Sequence, residues 1–475
     1  MAGAVAERSL FNPRAVCHAA ADIAMNDQKP NHAVSLRDFL STSTKFAASA
    51  AALGTLPVER FAHGASPGDT IKVALVGAGG RGTGAADQAM QAGSDVKLVA
   101  VADVHKDRMD RSLASLKKHK DQLAVKEESK FLGFDAYKQA IAQADVVILA
   151  TPPGFRPMMF EEAVRQGKHV FMEKPVAVDG PGVRKVLAAA EEAKQKNLKV
   201  AVGLQRHHQP NYHQSMQRLH GGEIGDIVSM RCYWNTAPVG PKKTRKEVAE
   251  MLGRAPTEME YQLRNWYMFA WLSGDHIVEQ HIHNLDVINW AKQSFPVSCT
   301  GLGGRAYLSE PDHGEIFDHH AVEYVYADGS RMYSQCRQIP KCKGEVYEAV
   351  QGTKGSWIAE RNVFAIRDLK QNITWRYQAK EGEANDGHRL EHIPFFDAIR
   401  HNKSYNEAER GAKSTLTAIM GRMATYGGQP VTWEEALNSK LDLMPERLAW
   451  DAAPKPKPES DGRYPYAIPG RTVAL

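Results

Sequence analysis

Cysteine is scarce: five in 475 residues (Cys17, Cys232, Cys299, Cys336, Cys342), with no Cys-x-x-Cys pair. So few, and an odd number, excludes a disulfide framework and a cysteine zinc site, and Cys336 and Cys342 read as two reduced thiols. Charge of one sign is lacking too. Lys and Arg number 60 against 55 Asp and Glu, a net +5 that is too mild to indicate a nucleic-acid partner. The one basic run, Lys242-Lys243-Thr-Arg245-Lys246, reads as a solvated loop. No stretch is long and apolar enough to span a membrane, and there is no internal repeat. What remains is 43% apolar and 24% charged residues, the proportions of a globular chain. Its length suggests two to three domains with room for a cleft between lobes.

The most informative stretch is 71–82, where the apolar run Val73 to Val76 breaks into Gly77-x-Gly79-x-x-Gly82 and a helix-compatible segment follows at once. A buried strand entering a helix through a turn without side chains lets backbone N–H groups approach a pyrophosphate, which the helix N-terminus stabilises. The next strand, Val96 to Ala102, ends in Asp103, 21 residues beyond Gly82, where a carboxylate can bind the adenosine ribose hydroxyls. Strand and helix patterns then alternate. Lys106–Lys126 reads as a polar helix, Ala144 to Thr151-Pro152-Pro153 as a buried strand, and Phe160–Gly167 as a helix stopped by Gly167. His169 to Glu173-Lys174-Pro175 reads as a strand, Val183–Lys196 as a helix and Lys199 to Leu204 as a strand. Repeated βα units predict a doubly wound parallel sheet with ligands at the carboxyl ends of its strands. The candidate cofactor-binding residues on that edge are Gly77, Gly79, Gly80, Arg81, Gly82, Asp103, Thr151, Pro152, Glu173 and Lys174. An acid at Asp103 repels a 2′-phosphate, and no arginine follows it directly. The expected cofactor is therefore NAD, with NADP disfavoured.

Beyond residue 205 the pattern changes to short strands (227–234, 321–326, 331–336, 344–350), several of them alternating polar and apolar, as a half-buried antiparallel sheet does. Tyr326-Ala-Asp-Gly-Ser reads as a hairpin turn. Helical patterns at 391–399 and 412–426 close the chain. The expected organisation is α/β: a leader at 1–68, a Rossmann-type doubly wound parallel sheet at 69–204, an α+β domain with an open, mostly antiparallel sheet at 205–450, and an extended tail at 451–475. The leader is similar to a twin-arginine export signal in its Ser35-x-Arg37-x-Phe39-Leu40 core, its Ala-rich stretch and its later Ala62-His-Gly-Ala65. The first arginine of the pair is Leu36, however. A periplasmic location is the expectation, with the cytoplasm as the alternative.

A second constellation runs from Asp275 to Trp290. Read as one helix, it sets Asp275, Glu279 and His283 on a shared polar face at four-residue spacing, with His276 and Asp286 at its margins. A carboxylate one turn before a histidine can orient the imidazole as a general base. Zinc is a second reading of His276, His281, His283 and Glu279. On a helix, though, His281 and His283 point about 200° apart, which makes no two-histidine face, so no metal is assigned.

The Gly-x-Gly-x-x-Gly turn, Glu173-Lys174-Pro175 and the Glu279-x-x-x-His283-x-x-Asp286 helix together resemble the glucose–fructose oxidoreductase / inositol dehydrogenase (Gfo/Idh/MocA) family, from about Thr70 to about Trp450. The resemblance implies a nucleotide domain followed by an open-sheet domain whose face carries a sugar site and an oligomer contact, hence a homo-oligomer (dimer or tetramer). It implies Lys174 beside the nicotinamide, often before a cis peptide, and substrate contacts at Arg206 or His207, with Asp275 and His276 as further candidates. Two positions depart from the pattern: Glu279, where the family usually has Asp, and His281, where the neighbour is usually small. The expected activity is NAD-dependent oxidation of a hydroxyl on a sugar, cyclitol or glycoside. In it His283 acts as base, Glu279 orients His283, and Lys174 stabilises the alkoxide. The alternatives are a redox-neutral NAD-dependent glycoside hydrolase and a catalytically silent sugar- or nucleotide-binding protein.

Overall fold

Six parallel strands carry the first half of the chain: β1 (Ile71–Val76), β2 (Val96–Asp103), β3 (Lys130–Leu132), β4 (Val146–Leu149), β5 (His169–Met172) and β6 (Val200–Val202), in the order β3-β2-β1-β4-β5-β6. The computed structural model describes residues 69–238 and 243–475. The leader reading lies outside these residues, as does Lys242. The crossovers are α1 (Gly80–Gln91), α2 (Lys106–Leu116), α3 (Ala136–Ala142), α4 (Arg156–Arg165) and α5 (Gly180–Gln195). Strand order reverses between β1 and β4, which opens a crevice above their carboxyl ends. All four residues of β4 are fully buried, as expected for strands covered by helices on both faces.

Several helix ends differ from the sequence expectation. The polar helix after Asp103 stops at Leu116 and tightens into a 3₁₀ turn through Gln122. The helix before Gly167 begins four residues early, at Arg156, because Pro153–Phe155 form a 3₁₀ lead-in and Pro157 sits in the first turn. Gly167 itself takes φ +70 just past the helix end, the stop that glycine there predicts.

After α6 (Pro210–His220) and β7 (Ile227–Thr236) come five helices: α7 (Arg245–Leu252), α8 (Glu258–Arg264), α9 (Ala270–Ser273), α10 (His276–Glu279) and α11 (Ile282–Lys292). Part of the basic run is helical rather than loop. Thr244 accepts from Glu247 N and Glu247 bonds back to Thr244 N, a capping box that starts α7 at Arg245. The remaining strands are β8 (Ser298–Gly304), β9 (His319–Val325), β10 (Arg331–Gln338), β11 (Glu345–Gly352), β12 (Gly355–Glu360), β13 (Val363–Asp368) and β14 (Ile373–Arg376). The chain ends with α12 (Gly387–Leu390), α13 (His392–Arg400), α14 (Ala408–Gly427), β15 (Val431–Thr432) and α15 (Trp433–Asn438).

The second sheet runs β14-β13-β12-β11-β7-β10-β9-β8-β15. Every pair is antiparallel except β7 with β10, which makes the sheet mixed at its centre. The alternation read in the sequence holds along β10, whose residues alternate exposed and buried. The Tyr326–Ser330 turn joins β9 to β10, with Gly329 at φ +84.

Two packing results were not legible locally. The 391–399 pattern becomes α13, which returns to the first sheet: Phe395, Phe396 and Ile399 bury in one cluster with Ile71, Leu98 and Phe171. The segment after Pro454 is irregular but packed, with Tyr464 buried against Phe269 at 4.9 Å between ring centroids. Among the described residues no helix is long and apolar enough to cross a membrane. Cys232, Cys299, Cys336 and Cys342 are free thiols.

Candidate active site

The crevice at the carboxyl edge of the first sheet is a cavity of about 410 Å³. Its nucleotide end is built on the turn after β1. Gly77 takes φ +94, and a Cβ there would sit 2.6 Å from the Ala150 carbonyl carbon. A Cβ on Gly82 would sit 1.9 Å from Gly77 O, so only glycine lets α1 approach the strand. At Gly79 and Gly80 a Cβ would meet nothing within 4 Å, and both residues line the cavity. No side chain caps α1, so its first N–H groups face this space, a cradle of the shape and polarity a pyrophosphate needs. Gly82 does not line the cavity; its part is packing.

Asp103 stands at the end of β2 on the same cavity. Its Oδ2 accepts from Ala78 N at 2.7 Å and its Oδ1 from His105 N at 2.8 Å, which fixes the carboxylate at the cleft. Burial raises its pKa, partly opposed by those N–H groups. Arg108 lines the same end, five residues on. Burial lowers its pKa while Asp103 opposes the shift. The residues therefore fit a dinucleotide: Gly79, Gly80 and Arg81 would hold its phosphates and Asp103 its ribose diol. Asp103→Ala is expected to relax the preference for NAD, because Arg108 is then left beside the 2′ position without a competing carboxylate. Equilibrium titration with NAD and NADP checks this.

Toward the other end, Arg81 ties the glycine turn to Glu173, with Nε 2.5 Å from Oε1, and to Gln88 at 2.6 Å. Buried Arg156 donates to the main-chain oxygens of Thr151 and Pro175, clamping the β4 and β5 loops together, and burial pushes its pKa down to about 10. Lys174 precedes a cis peptide to Pro175 and projects to Glu279. Its Nζ donates to the Glu279 main-chain oxygen and lies 3.0 Å from Oε1. Glu279 Oε2 is buried and unpartnered. His283 lines the same wall, its ring stacked on Trp234 at 6.0 Å. Burial, reinforced by Lys174 and Arg206, holds the His283 pKa well below 6.5, so the ring is neutral at pH 7, as a proton acceptor must be.

The constellation read as one helix is broken. Asp275 takes φ +76 outside α10, and a turn at Gln280-His281 separates α10 from α11. Glu279 therefore pairs with Lys174 instead of orienting His283. Asp275 and His276 do not line the cavity. Asp275 is fully buried and its Oδ2 accepts from Phe317 N at 2.9 Å and from Tyr426 OH at 2.6 Å. Its Oδ1 accepts from His276 N and lies 2.9 Å from His276 Nδ1 and 3.3 Å from His320 Nε2. Despite burial, His320 and His276 hold its pKa well below 3.8. These three side chains have the composition of a metal site, with donor atoms within 4.8 Å of one another. The carboxylate is already occupied by main-chain and hydroxyl donors, however, and acts as a structural hub.

Arg206 and His207 are likewise set behind the wall. Arg206 pairs with buried Glu348, which also accepts from Tyr212 OH at 3.1 Å, while His207 Nε2 lies 2.7 Å from Asp286 Oδ2 and stacks on Trp290 at 4.0 Å. The Arg206–Glu348 pair makes buried charge tolerable by mutual neutralisation, whereas burial lowers the His207 pKa, so its contact with Asp286 is a hydrogen bond from a neutral ring. Sequence reasoning missed His105, Phe134, Leu263, Gln280 and His388, which line the cavity from five separate segments. Trp266 and Tyr267 also line it. They were visible only as an aromatic run before the constellation.

Residues 71–204 match the profile of an oxidoreductase family with an NAD-binding Rossmann fold, the Gfo/Idh/MocA family. The chain is 30% identical to scyllo-inositol 2-dehydrogenase (NAD(+)) of Bacillus subtilis over 293 residues, 60% of this chain and 72% of that protein. The chain belongs to the Gfo/Idh/MocA family. It is also 25% identical to an inositol 2-dehydrogenase of Rhizobium meliloti over 296 residues, 61% of this chain and 76% of that protein. Across curated relatives the match spans from about half to three quarters of their length. In fold it resembles the apo scyllo-inositol dehydrogenase of Lactobacillus casei, with TM-score 0.57 and 22% identity over 77% of this chain and 99% of that one. Glu279 ends α10 and His281 stands in the turn before α11, so both lie at the break between the two helices.

Proposed function

We propose that the protein oxidises a hydroxyl of a sugar, cyclitol or glycoside with NAD. The observation that carries this reading is Lys174, Glu279 and His283 lining one wall of the cavity whose other end is the Gly79–Asp103 cradle. NAD, held by Gly79, Gly80, Arg81 and Asp103, would supply the hydride acceptor. His283, neutral, takes the hydroxyl proton, Lys174 stabilises the oxygen as negative charge develops, and Glu279 holds Lys174 in place through its carbonyl and Oε1. Trp266 and Tyr267 offer apolar ring faces against which a sugar ring packs while its hydroxyls meet the polar wall. The test is a panel of polyols, sugars and glycosides scored for NADH absorbance; no NADH with any of them removes the reading.

One feature favours a second reading, in which the nucleotide stays bound and the sugar is oxidised only transiently, so that a glycosidic bond is eliminated before re-reduction. Leu263, Trp266 and Tyr267 roof the nucleotide cleft. Arg264 ties that roof to α2 through two bonds to Asp107, at 2.7 and 2.9 Å. Trp450 packs against His105 (5.8 Å) and Phe134 (5.0 Å) from outside, and Thr257 Oγ1 donates to the Trp450 carbonyl at 2.7 Å. Arg264→Ala is expected to speed nucleotide loss on gel filtration, read as bound nucleotide per chain. Equal retention by wild type and variant counts against the second reading, as does NADH accumulating in step with product.

A further inference from the structure

We infer that the contact between His281 and Ser334 is a positioning device that keeps the α10–α11 break open, and that the break frees the Glu279 carbonyl to receive Lys174. The inference rests on the reading of Lys174 and His283 as acid–base groups, and goes beyond it in assigning what places them.

In an uninterrupted α-helix the Glu279 carbonyl would accept from the N–H of His283, four residues on. Here His283 N bonds to Gln280 O at 3.3 Å instead, and His281 N reaches His276 O, five residues back, at 3.2 Å. A one-turn widening of this kind releases a carbonyl from the helical ladder, and such widenings recur at functional sites. The released carbonyl is the one to which Lys174 Nζ donates.

The four-residue α10 cannot hold this geometry alone, since one turn of helix carries almost no stability of its own. The anchor lies outside the helix. His281 is fully buried, with Nε2 2.8 Å from Ser334 Oγ on β10 and 3.8 Å from Cys232 Sγ on β7. Ser334 and Cys232 are register partners in the one parallel pair of the second sheet, so the elbow is pinned to the sheet centre. Burial, with His276 and Arg206 adding to it, holds His281 neutral, so the anchor brings no charge beneath the site. A small residue at this position would leave nothing to span the gap to Ser334. Glu279 and His283 flank the pinned residue and both line the cavity, whereas Asp275 and His276, on the far side of α10, do not.

The test uses the NAD-loaded full-length chain with His281→Gly, Ser334→Ala and the conservative His281→Gln, whose amide reaches the place of Nε2. Turnover and KM are measured on the sugar the panel identifies, alongside NAD affinity and thermal melting. The carbon-13 resonance of Lys174 in lysine-labelled protein, assigned with Lys174→Arg, reports the ammonium environment without turnover. His281→Gly and Ser334→Ala are expected to shift that resonance and lower kcat about tenfold, the size of one lost neutral hydrogen bond. KM and NAD affinity stay near wild type, and His281→Gln restores both readouts. An unmoved Lys174 resonance overturns the inference, as does a fall in kcat that only tracks lower melting temperature and weaker NAD binding. If wild type oxidises no sugar, the activity reading fails, and the resonance alone decides whether His281 places Lys174.

Discussion

Lys174→Ala and His283→Ala are expected to keep near-normal NAD affinity and melting behaviour while losing about 10²–10⁴-fold in single-turnover hydride transfer, the usual cost of removing a positioned acid–base group. Both side chains line the cavity wall opposite the nucleotide cradle, so neither removal disturbs the glycine turn or Asp103. Glu279→Gln should fall between wild type and these variants. Its main-chain oxygen still accepts from Lys174, and only the 3.0 Å carboxylate contact is weakened. The pH profile adds a sign. Because His283 is held well below 6.5, it stays unprotonated as pH falls through 6.5. The acid limb of kcat/KM assigned to it should therefore lie below pH 6.5, and a limb above 6.5 would point to another group. Near-wild-type hydride transfer in His283→Ala would remove the base from the wall as described here and leave the nucleotide site standing.

Gly79→Ala and Gly82→Ala should separate cofactor binding from folding. At Gly82 the new Cβ would lie 1.9 Å from Gly77 O, so α1 must move off the strand. Overpacking of that kind costs about 1–3 kcal/mol. The expected result is a lower melting temperature together with roughly 10–100-fold weaker NAD binding. At Gly79 the Cβ meets nothing within 4 Å and projects where the cradle is open. That variant should fold and melt as wild type yet bind NAD more weakly, because the methyl occupies room the pyrophosphate needs. Fluorescence titration of NADH with calorimetric melting reads both. Unchanged NADH affinity in Gly79→Ala would place the phosphates elsewhere.

Much of the nucleotide half was legible because its signals are local. Glycines at 77, 79 and 82, an acid 21 residues later, and apolar runs of strand length each act within a few residues of chain. Lys174 and His283 were legible as candidates through the family pattern. Asp275 and His276 were misplaced because periodicity assumes an unbroken helix, and neither the positive φ at Asp275 nor the break at His281 leaves a mark in residue spacing. Arg206 and His207 failed for another reason. Their partners, Glu348 and Asp286, lie 142 and 79 residues away, and only folding decides whether a charged side chain meets a carboxylate or a substrate.

By itself, then, the sequence determined the parallel nucleotide-binding sheet, the cradle after β1 and Asp103 at the end of β2. These rest on backbone sterics and side-chain chemistry that a short window contains. Tertiary structure alone decided that Glu279 holds Lys174 rather than His283, that α13 returns to the first sheet, and that Arg264 ties α8 to Asp107 on α2. Each depends on which distant surfaces bury together, and burial is a property of the assembled molecule that no local pattern encodes.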